Sequence, residues 1–218
     1  MAFKKNIAIY GAGGFGREVA CLINRINEVE PTWNLVGFFD DDSEKNGKMV
    51  SHFGLCLGGM DELNVWPEEL SVVVAIGSSL VVKKIVDQID NANIVFPNLI
   101  DRTFYLADPE TFCIGKGNII QGPGAATCDV SLGDFNVLNG SVVLGHDVKI
   151  GSFNTLMPAV RVSGEVQIGQ YNFLGVGSIV LQRIRIGNNI RLAAGSVLMT
   201  RPKDGCLYMG NPARKTEF

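Results

Sequence analysis

Aliphatic residues recur at every sixth position through the second half of the chain. From Ile114 to Leu198 all fifteen positions of this series are aliphatic. If about a third of residues are aliphatic, such a run arises by chance with a probability on the order of 10⁻⁷. A period of six fits neither the 3.6-residue helix nor the two-residue alternation of a half-buried strand. The pattern therefore predicts a repeat architecture.

A period of eighteen residues is superposed on the first. An aliphatic–glycine pair recurs without insertion at Ile114-Gly115, Leu132-Gly133, Ile150-Gly151, Ile168-Gly169 and Ile186-Gly187. Three six-residue sides, each with one inward aliphatic residue, describe one coil of a triangular parallel β-helix, with coils roughly 4.8 Å apart. We expect five such coils between Ile114 and about Arg201. The period alone leaves the handedness open.

The start of the chain has a different pattern. The apolar stretch "NIAIY" is followed by Gly11, Gly13, Gly14 and Gly16 and then by a helical pattern, which matches Gly-x-Gly-x-x-Gly. Glycines at this spacing permit a tight turn and a close approach of a phosphate to a helix N-terminus. We expect Gly11, Gly13, Gly14 and Phe15 to bind a nucleotide. The alternative is that the glycines only build a strand-to-helix turn.

Three more strands complete a small N-terminal domain. "LVGFFDDD" predicts a strand that ends at Asp40, and "SVVVAIGSS" and "NIVFP" predict two more before Asn98. Asp40 and Asp41 could accept hydrogen bonds from a ribose or a base. Only about half of a doubly wound dinucleotide fold is present, which favours a mononucleotide over NAD. We predict an α/β Rossmann-like half domain over residues 1–98 and a parallel β-helix with a C-terminal tail over residues 99–218.

His146 is the candidate for catalysis, because it lies two residues after the inward Leu144 and so faces outward at a corner of the coil. An imidazole can remove a proton at neutral pH, and the carboxylate of Asp147 could fix its tautomer. Gly164 lies eighteen residues further along, where its N–H could stabilise an oxyanion beside the base. The alternative is an ordinary surface histidine, which is our interpretation of His52.

The composition excludes several classes of protein. The net charge of −3 and the absence of a basic stripe argue against a nucleic-acid partner. The five cysteines are scattered and never spaced Cys-x-x-Cys, which predicts neither a disulfide framework nor a zinc site. With two histidines in different domains, we expect no metal. No apolar stretch is long enough for a signal peptide or a membrane span, so we expect a cytoplasmic protein without a membrane partner.

The stretches "IYGAGGFG", "FFDDD", "VAIGSS", "LNGSVVLGHDVKIG" and "GNPAR" together resemble one family over almost the whole chain. It is the bacterial sialic-acid O-acetyltransferase-like group of hexapeptide acyltransferases, which includes nucleotide-aminosugar N-acetyltransferases. The resemblance implies a left-handed β-helix and a homotrimer that binds acetyl-CoA between subunits. It also implies that the N-terminal domain binds the nucleotide of a UDP- or GDP-linked sugar.

The resemblance assigns roles to individual residues. The family's Asn-x₆-His-Asp context matches Asn139, His146 and Asp147, which implies that His146 is the general base for direct attack on the thioester.

For the coenzyme, the resemblance implies contacts with the backbone at Gly164, Val176 and Ala194, and it places Pro212 and Arg214 near the adenine and phosphates. A Pro-terminated tail without function is the alternative for the last segment. Asp101 and Thr155 depart from the pattern, since some members carry histidines there.

The predicted activity is acetyl-CoA-dependent N-acetylation of the amino group of a nucleotide-linked deoxyaminosugar. O-acetylation of sialic acid or a related sugar is the close alternative. An NAD-dependent oxidoreductase, favoured only by the glycine pattern, and a non-catalytic β-helix scaffold are more distant. The sequence leaves open the sugar, the acylated position, the base of the nucleotide and the length of the acyl donor.

Overall fold

A computed structural model describes residues 4–216, and the chain divides into two compact units at Leu99 and Ile100. The strands of the first unit are β1 (Lys5–Tyr10), β2 (Trp33–Phe39), β3 (Leu70–Val74) and β4 (Ile94–Val95). Its helices are α1 (Gly14–Val29), a 3₁₀ turn (Ser43–Lys45), α2 (Met60–Asn64) and α3 (Ser79–Gln88). The strands form one parallel sheet in the order β2-β1-β3-β4.

The core of this unit lies between the sheet and its helices. Strand β3 is buried at every position, and β1 is buried from Ile7 to Tyr10. Helix α1 buries one face, because Val19, Ile23 and Ile26 recur at helical spacing while the opposite face is polar. The predicted half domain is confirmed, and the four predicted strands are present. Helices α2 and α3 were not anticipated from the sequence.

The second unit is a three-sided parallel β-helix of very short strands. Side one consists of β7 (Cys113–Ile114), β10 (Ser131–Leu132), β13 (Lys149–Ile150), β16 (Gln167–Ile168) and β19 (Arg185–Ile186). Side two consists of β5 (Leu99–Ile100), β8 (Ile119–Ile120), β11 (Val137–Leu138), β14 (Thr155–Leu156), β17 (Phe173–Leu174), β20 (Arg191–Leu192), β22 (Leu207–Gly210) and the antiparallel β23 (Ala213–Thr216). Side three consists of β6 (Phe104–Leu106), β9 (Gly124–Ala126), β12 (Val143–Leu144), β15 (Arg161–Val162), β18 (Ile179–Val180) and β21 (Val197–Leu198).

The register of the coils follows the repeat of eighteen residues. Leu132 pairs with Ile150, and Leu144 pairs with Val162. The recurring glycines are required by the close stacking, since a Cβ at Gly151 would lie 2.6 Å from the carbonyl oxygen of Gly169. The left-handed β-helix predicted from the sequence is confirmed.

The β-helix begins before Ile114, the first residue of the regular six-residue series. Strands β5 and β6 already belong to sides two and three, and Leu106 of β6 pairs with Ala126 of β9. This offset is twenty residues, not eighteen, so a fixed step of six misses the first coil. The five coils expected between Ile114 and about Arg201 are present, and β5 and β6 precede them within the predicted domain of residues 99–218.

Each corner of a coil is named by the side that it follows. Corner one includes Phe135, Phe153 and Tyr171; corner two includes Gln121, Asn139, Val176 and Ala194; corner three includes Cys128, His146, Gly164 and Gln182. The chain turns through left-handed backbone at these corners, with a φ of 58° at Asp147 and 61° at Glu165. At corner one the rings of Phe153 and Tyr171 stack with centroids 5.3 Å apart.

A ladder of buried asparagines runs through the interior of the β-helix. Asn118, Asn136, Asn154 and Asn172 lie on successive coils and are fully buried. The Oδ1 of Asn136 accepts hydrogen bonds from the backbone N–H and the side-chain amide of Asn154, at 2.9 and 3.0 Å. The next pair repeats this arrangement. These amides are stabilised inside an apolar core because their hydrogen bonds are made along the ladder.

Candidate active site

His146 and Asp147 form a hydrogen-bonded pair at corner three. The imidazole Nδ1 lies 2.8 Å from Oδ2 of Asp147, and half of the imidazole side chain is exposed. A carboxylate can only accept a hydrogen bond, so Nδ1 carries the proton and donates it. The second ring nitrogen, Nε2, is thereby left as an acceptor. The pair presents a basic nitrogen at the surface of the coil.

Gly164 lies against this basic nitrogen on the next coil. A Cβ at position 164 would overlap Nε2 and would lie 2.6 Å from Cε1 of the His146 ring. The stacking is held in place because the N–H of Glu165 donates to the carbonyl oxygen of His146 at 2.8 Å. Within residues 4–216 the N–H of Gly164 donates to no acceptor. A base and an unused backbone donor are therefore side by side.

An ion pair that the sequence did not suggest borders the His146–Asp147 pair. Glu165 accepts hydrogen bonds from the Arg183 Nε at 3.0 Å and from the Gln182 side chain at 2.9 Å. These contacts, first from Arg183 and then from Gln182, hold the pKa of Glu165 below its ordinary value. The signal was available in the sequence, since Asp147, Glu165 and Arg183 are spaced by eighteen residues.

The same surface contains a shallow cleft of about 440 Å³. Its lining residues carry both signs of charge: Asp147, Lys149, Glu165, Gln167, Arg183 and Arg185. The cleft thus extends from the His146–Asp147 pair along side one.

Val176 and Ala194 lie together at corner two. The N–H of Gly195 donates to the carbonyl oxygen of Val176 at 2.8 Å, so the two corner positions are on adjacent coils. Both residues are exposed. Asn139 belongs to the same corner two coils below Val176, and its side-chain amide donates to the carbonyl oxygen of Leu156 at 3.1 Å.

The C-terminal tail folds back onto corner two as a hairpin of β22 and β23. The N–H of Ala193 donates to the carbonyl oxygen of Tyr208 at 2.9 Å, and the N–H of Gly210 donates to Ser196 Oγ at 3.0 Å. Pro212 and Arg214 are exposed on this hairpin. The structure therefore brings the tail close to Ala194, while the coenzyme role of Pro212 and Arg214 stays a prediction.

The candidate residues of the β-helix fall into two groups. His146, Asp147 and Gly164 lie at corner three, whereas Asn139 and the other coenzyme candidates lie at corner two or on the hairpin beside it. One six-residue side separates the corners, which is about 20 Å in extended conformation. A single chain therefore does not bring the two groups together.

The glycines of the N-terminal turn serve different purposes. Gly11 has a φ of 114°, and a Cβ there would lie 2.6 Å from the carbonyl oxygen of Ala75. Gly16 lies directly against Gly11, where a side chain would overlap the backbone. A Cβ at Gly13, in contrast, would meet nothing within 4 Å. Packing thus explains Gly11 and Gly16 and leaves open space at Gly13.

Helix α1 begins beside this open space. Gly13 is its N-cap, and no side chain caps the helix. The first amides of a helix have no intrahelical acceptor, so those of Gly14 and Phe15 are available to an anion. That this turn binds a nucleotide stays a prediction.

Both carboxylate oxygens of Asp40 accept hydrogen bonds from residues of the same domain. Its Oδ2 accepts from the N–H of Ala12 at 2.8 Å and from the Lys45 ammonium at 3.0 Å, while Oδ1 accepts from the N–H of Asp42 at 3.0 Å. Burial is the largest single influence on the pKa of Asp40 and raises it, but the hydrogen bonds from Ala12, Asp42 and Lys45 together outweigh burial and lower it. Asp40 therefore holds the glycine turn.

Asp41 faces a cleft of about 490 Å³ at the end of β2. Its Oδ1 accepts from the Tyr10 hydroxyl at 2.5 Å and from the N–H of Met60 at 3.2 Å. Burial, and then the hydrogen bond to Asp41, raise the pKa of Tyr10 above its ordinary value. Asp61 and Lys84 also line the cleft. Asp41 is thus fixed in orientation while its other oxygen remains available.

Two positions depart from the family pattern. Asp101 is buried with 3% exposure and accepts hydrogen bonds from the N–H and the hydroxyl of Thr103, at 2.9 and 2.7 Å. Thr155 is half-buried on side two. Asp101 acts as a turn residue at the start of the β-helix.

Residues 4–216 contain neither a candidate metal site nor a helix that could span a membrane. No three side chains of His, Cys, Asp or Glu within residues 4–216 are grouped closely enough to hold a metal ion. Over the same residues, every helix is too short or too polar to cross a bilayer. All five cysteines are free thiols.

Solved structures share the two-part fold of this chain. The acetyltransferase domain of PglB from Neisseria gonorrhoeae FA1090, in complex with acetyl coenzyme A, is 25% identical with a TM-score of 0.77, covering 98% of this chain and 100% of that one. PerB from Caulobacter crescentus, in complex with CoA and GDP-perosamine, is 24% identical with a TM-score of 0.84 over 97% of both chains. WeeI from Acinetobacter baumannii AYE is 23% identical with a TM-score of 0.86, covering 98% and 100%.

These matches define the class of fold, a Rossmann-like half domain joined to a hexapeptide β-helix, and confirm the resemblance inferred from the sequence. More specifically, residues 6–89 match the family described as the PglD N-terminal domain. No curated protein sequence matches the chain significantly.

Proposed function

We propose that this protein is an acetyl-CoA-dependent N-acetyltransferase that acts on the amino group of a nucleotide-linked deoxyaminosugar. The observation that carries the proposal is the position of Gly164 against Nε2 of His146, with Asp147 bonded to Nδ1. The similar PglB domain was solved with acetyl coenzyme A, and PerB with CoA and GDP-perosamine.

The chemistry is direct transfer without a covalent enzyme intermediate. The sugar amine attacks the thioester carbonyl carbon, and Nε2 of His146 takes the proton that the amine loses. The carbonyl oxygen becomes an oxyanion that the N–H of Gly164 stabilises. When the C–S bond breaks, the coenzyme thiolate leaves and takes the proton from the imidazolium. Asp147 stabilises the imidazolium between these two steps.

The coenzyme lies along corner two in this proposal. Exposed Val176 and Ala194 offer backbone groups on adjacent coils to an extended pantetheine arm. Pro212 and Arg214 on the hairpin lie near the same corner, where the guanidinium of Arg214 can pair with a phosphate. Asn139 lies at the level of His146, because both belong to the same coil, and would contact the reacting groups.

In this proposal a homotrimer brings corner three of one copy close to corner two of the next. Since His146 and the coenzyme candidates lie on different corners of one chain, a second copy has to bring its corner two to the first copy's corner three. A cyclic assembly does this for every copy at once, and rotation about an axis parallel to the β-helix keeps Asn139 and His146 at the same height. Active sites between subunits follow directly.

The N-terminal domain binds the nucleotide in this proposal. The amides of Gly13, Gly14 and Phe15 bind a phosphate at the open turn, with Gly11 allowing the backbone to approach. Asp41 reads the base or ribose with its free oxygen, whereas Asp40 acts indirectly by holding Ala12. Both substrates are cytoplasmic metabolites, so we also propose a cytoplasmic location.

Two measurements test the function. Thermal denaturation of the protein with acetyl-CoA, NAD, UDP and GDP separates ligand classes, because a ligand that binds only the native state raises the midpoint. We expect shifts with acetyl-CoA and with one of the two nucleotides.

Release of free CoA is then measured with UDP- and GDP-linked aminodeoxysugars, with the corresponding hydroxysugars as controls. Transfer to the amino compounds alone supports the proposal. Transfer to hydroxyls supports the O-acetyltransferase, and stabilisation by NAD without acetyl-CoA binding contradicts both.

A further inference from the structure

Four charged residues follow corner three on successive coils of the β-helix. They are spaced by eighteen residues: Asp129, Asp147, Glu165 and Arg183. Each has left-handed backbone, with φ values from 55° to 65°, so all four occupy the same place in the turn. The N–H of Arg183 donates to the carbonyl oxygen of Gly164 at 3.1 Å, and adjacent coils are roughly 4.8 Å apart. Three carboxylates therefore lie in a row beside corner three, with one guanidinium above them.

The guanidinium of Arg183 fixes the uppermost carboxylate. Its Nε donates to both oxygens of Glu165, at 3.0 and 3.1 Å, and one Nη lies 3.0 Å from Oε1. The side-chain amide of Gln182 donates to the same Oε1 at 2.9 Å. Both partners lie on the coil above Glu165, whereas Asp147 lies on the coil below. A guanidinium that contacts both oxygens gives a carboxylate a more definite position than a single contact does. The charge of Glu165 is thus compensated from the side opposite Asp147.

Glu165 also interacts electrostatically with the imidazole of His146. The hydrogen bond from Arg183 is the main influence that lowers the pKa of Glu165, and the charge of the His146 ring also lowers it. Such an interaction is mutual, so a negative charge on Glu165 favours the protonated ring. The other charged residues around the imidazole lie at its own corner, on the coil below and in the adjoining cleft: Asp147, Asp129, Lys149 and Arg185.

A general base has to be neutral before it can accept a proton. One carboxylate at Nδ1 orients the ring, but a second uncompensated carboxylate nearby would keep the ring protonated at neutral pH. We propose that Arg183 is a positioning residue for the base: by holding Glu165, it cancels the second negative charge beside His146 and leaves the orienting role to Asp147. This assignment rests on the proposed function, because it concerns the base of that reaction.

Charge-neutralising variants test this role because they predict shifts of opposite sign. Arg183→Gln leaves Glu165 uncompensated, so the titration midpoint of the His146 ring should move to higher pH by about 0.3 to 0.8 units, the effect of one charge in a largely solvated site. Glu165→Gln leaves the guanidinium uncompensated, so the midpoint should move to lower pH. The double variant should lie near wild type, since both charges are removed.

The midpoint is measured by NMR on protein labelled with ¹³C in histidine. The chain has two histidines, so His52→Ala identifies the signal of His146. The acid limb of kcat/KM should move in the same direction as the midpoint in each variant. At high pH, where the ring is neutral in every protein, kcat should equal that of wild type, which separates positioning of the base from direct contact with a substrate.

Arg191→Gln is the matched control. It removes the same charge from side two, where the guanidinium lies over the ring of Phe173 at 5.3 Å, and it should leave the midpoint in place. If Arg183→Gln and Glu165→Gln leave the midpoint unchanged, or shift it in the same direction, Arg183 has no such role. An acid limb that stays in place while the midpoint moves would also overturn the proposal. If the midpoints move as expected but the wild-type protein acetylates no aminosugar, the proposed function fails, while the control of the ring's charge by Arg183 stands.

Discussion

The imidazole of His146 occupies the space that any side chain at Gly164 would need. The two residues lie at the same corner on adjacent coils, and a Cβ at position 164 would lie 2.6 Å from Cε1 of the ring. Gly164→Ala should therefore push the imidazole away from the reacting groups. We expect kcat to fall by about 10²-fold, the effect of misplacing a catalytic group by about 1 Å.

A double variant is the control for this prediction. In a protein that already carries His146→Ala, Gly164→Ala should have little further effect on kcat, because the two changes act through one contact. Additive losses would show that position 164 acts independently of the imidazole.

Loss of the base should affect turnover without affecting the fold. His146→Ala should lower kcat by about 10²- to 10⁴-fold, the usual contribution of a positioned general base, and leave the binding of acetyl-CoA unchanged. His52→Ala is the matched control, since His52 is the other histidine and is exposed in the N-terminal domain. An unchanged kcat in the first variant would remove His146 from the mechanism.

Mixed assemblies should recover activity that each parent lacks. His146→Ala disables corner three, and Ala194→Glu blocks corner two with a charged side chain. In trimers formed from equal amounts of both, about a quarter of the interfaces pair two intact corners, because each has a one-in-two chance of being intact. We expect about a quarter of wild-type activity after mixing and refolding. Activity no higher than the parents, or a monomer by light scattering, would contradict sites between subunits.

Asp41 should contribute to binding of the nucleotide sugar alone. Asp41→Asn keeps an acceptor for the Tyr10 hydroxyl but removes the charge that faces the cleft. KM for the nucleotide sugar should rise by about 5- to 30-fold, with KM for acetyl-CoA unchanged, which is the signature of lost binding to one substrate. Equal changes in both values would indicate a general defect of the fold.

Asp40 should instead contribute pH-dependent stability. Its pKa in the folded protein is lowered, so its contribution is present above the ordinary carboxyl pKa and is lost as the pH falls through the lower folded value. Asp40→Asn should be less stable than wild type at pH 7, and the difference should shrink below about pH 4. Urea unfolding of both proteins between pH 7 and pH 3 measures this, and a constant difference would contradict it.

Much of the β-helix could be predicted because an aliphatic residue at every sixth position reveals its period. One inward aliphatic residue per side is a local requirement, and stacked coils repeat it without insertion from Ile114 to Leu198. The pairing of His146 with Gly164 follows from the same arithmetic. Where the offset changes to twenty residues, between Leu106 and Ala126, the six-residue series does not show which residues pair.

The N-terminal turn shows the opposite case. Its glycines and acidic residues were evident as a pattern, but their individual tasks were not. Gly11 and Gly16 are required by contacts with backbone that is distant in sequence or across the turn, and Asp40 is bonded to Ala12, twenty-eight residues away. Only packing distinguishes the carboxylate that holds the turn from Asp41, which faces the cleft.

The sequence by itself determined the two-part architecture and the outward position of His146. It also determined which residues lie next to His146 on adjacent coils, because residues eighteen apart in a regular repeat lie one coil apart in the molecule. Tertiary structure alone decided that the tail folds back beside Ala194 and that Asp40 holds the glycine turn while Asp41 faces the cleft. These depend on side-chain directions and on contacts between residues with no fixed spacing, which the period does not encode.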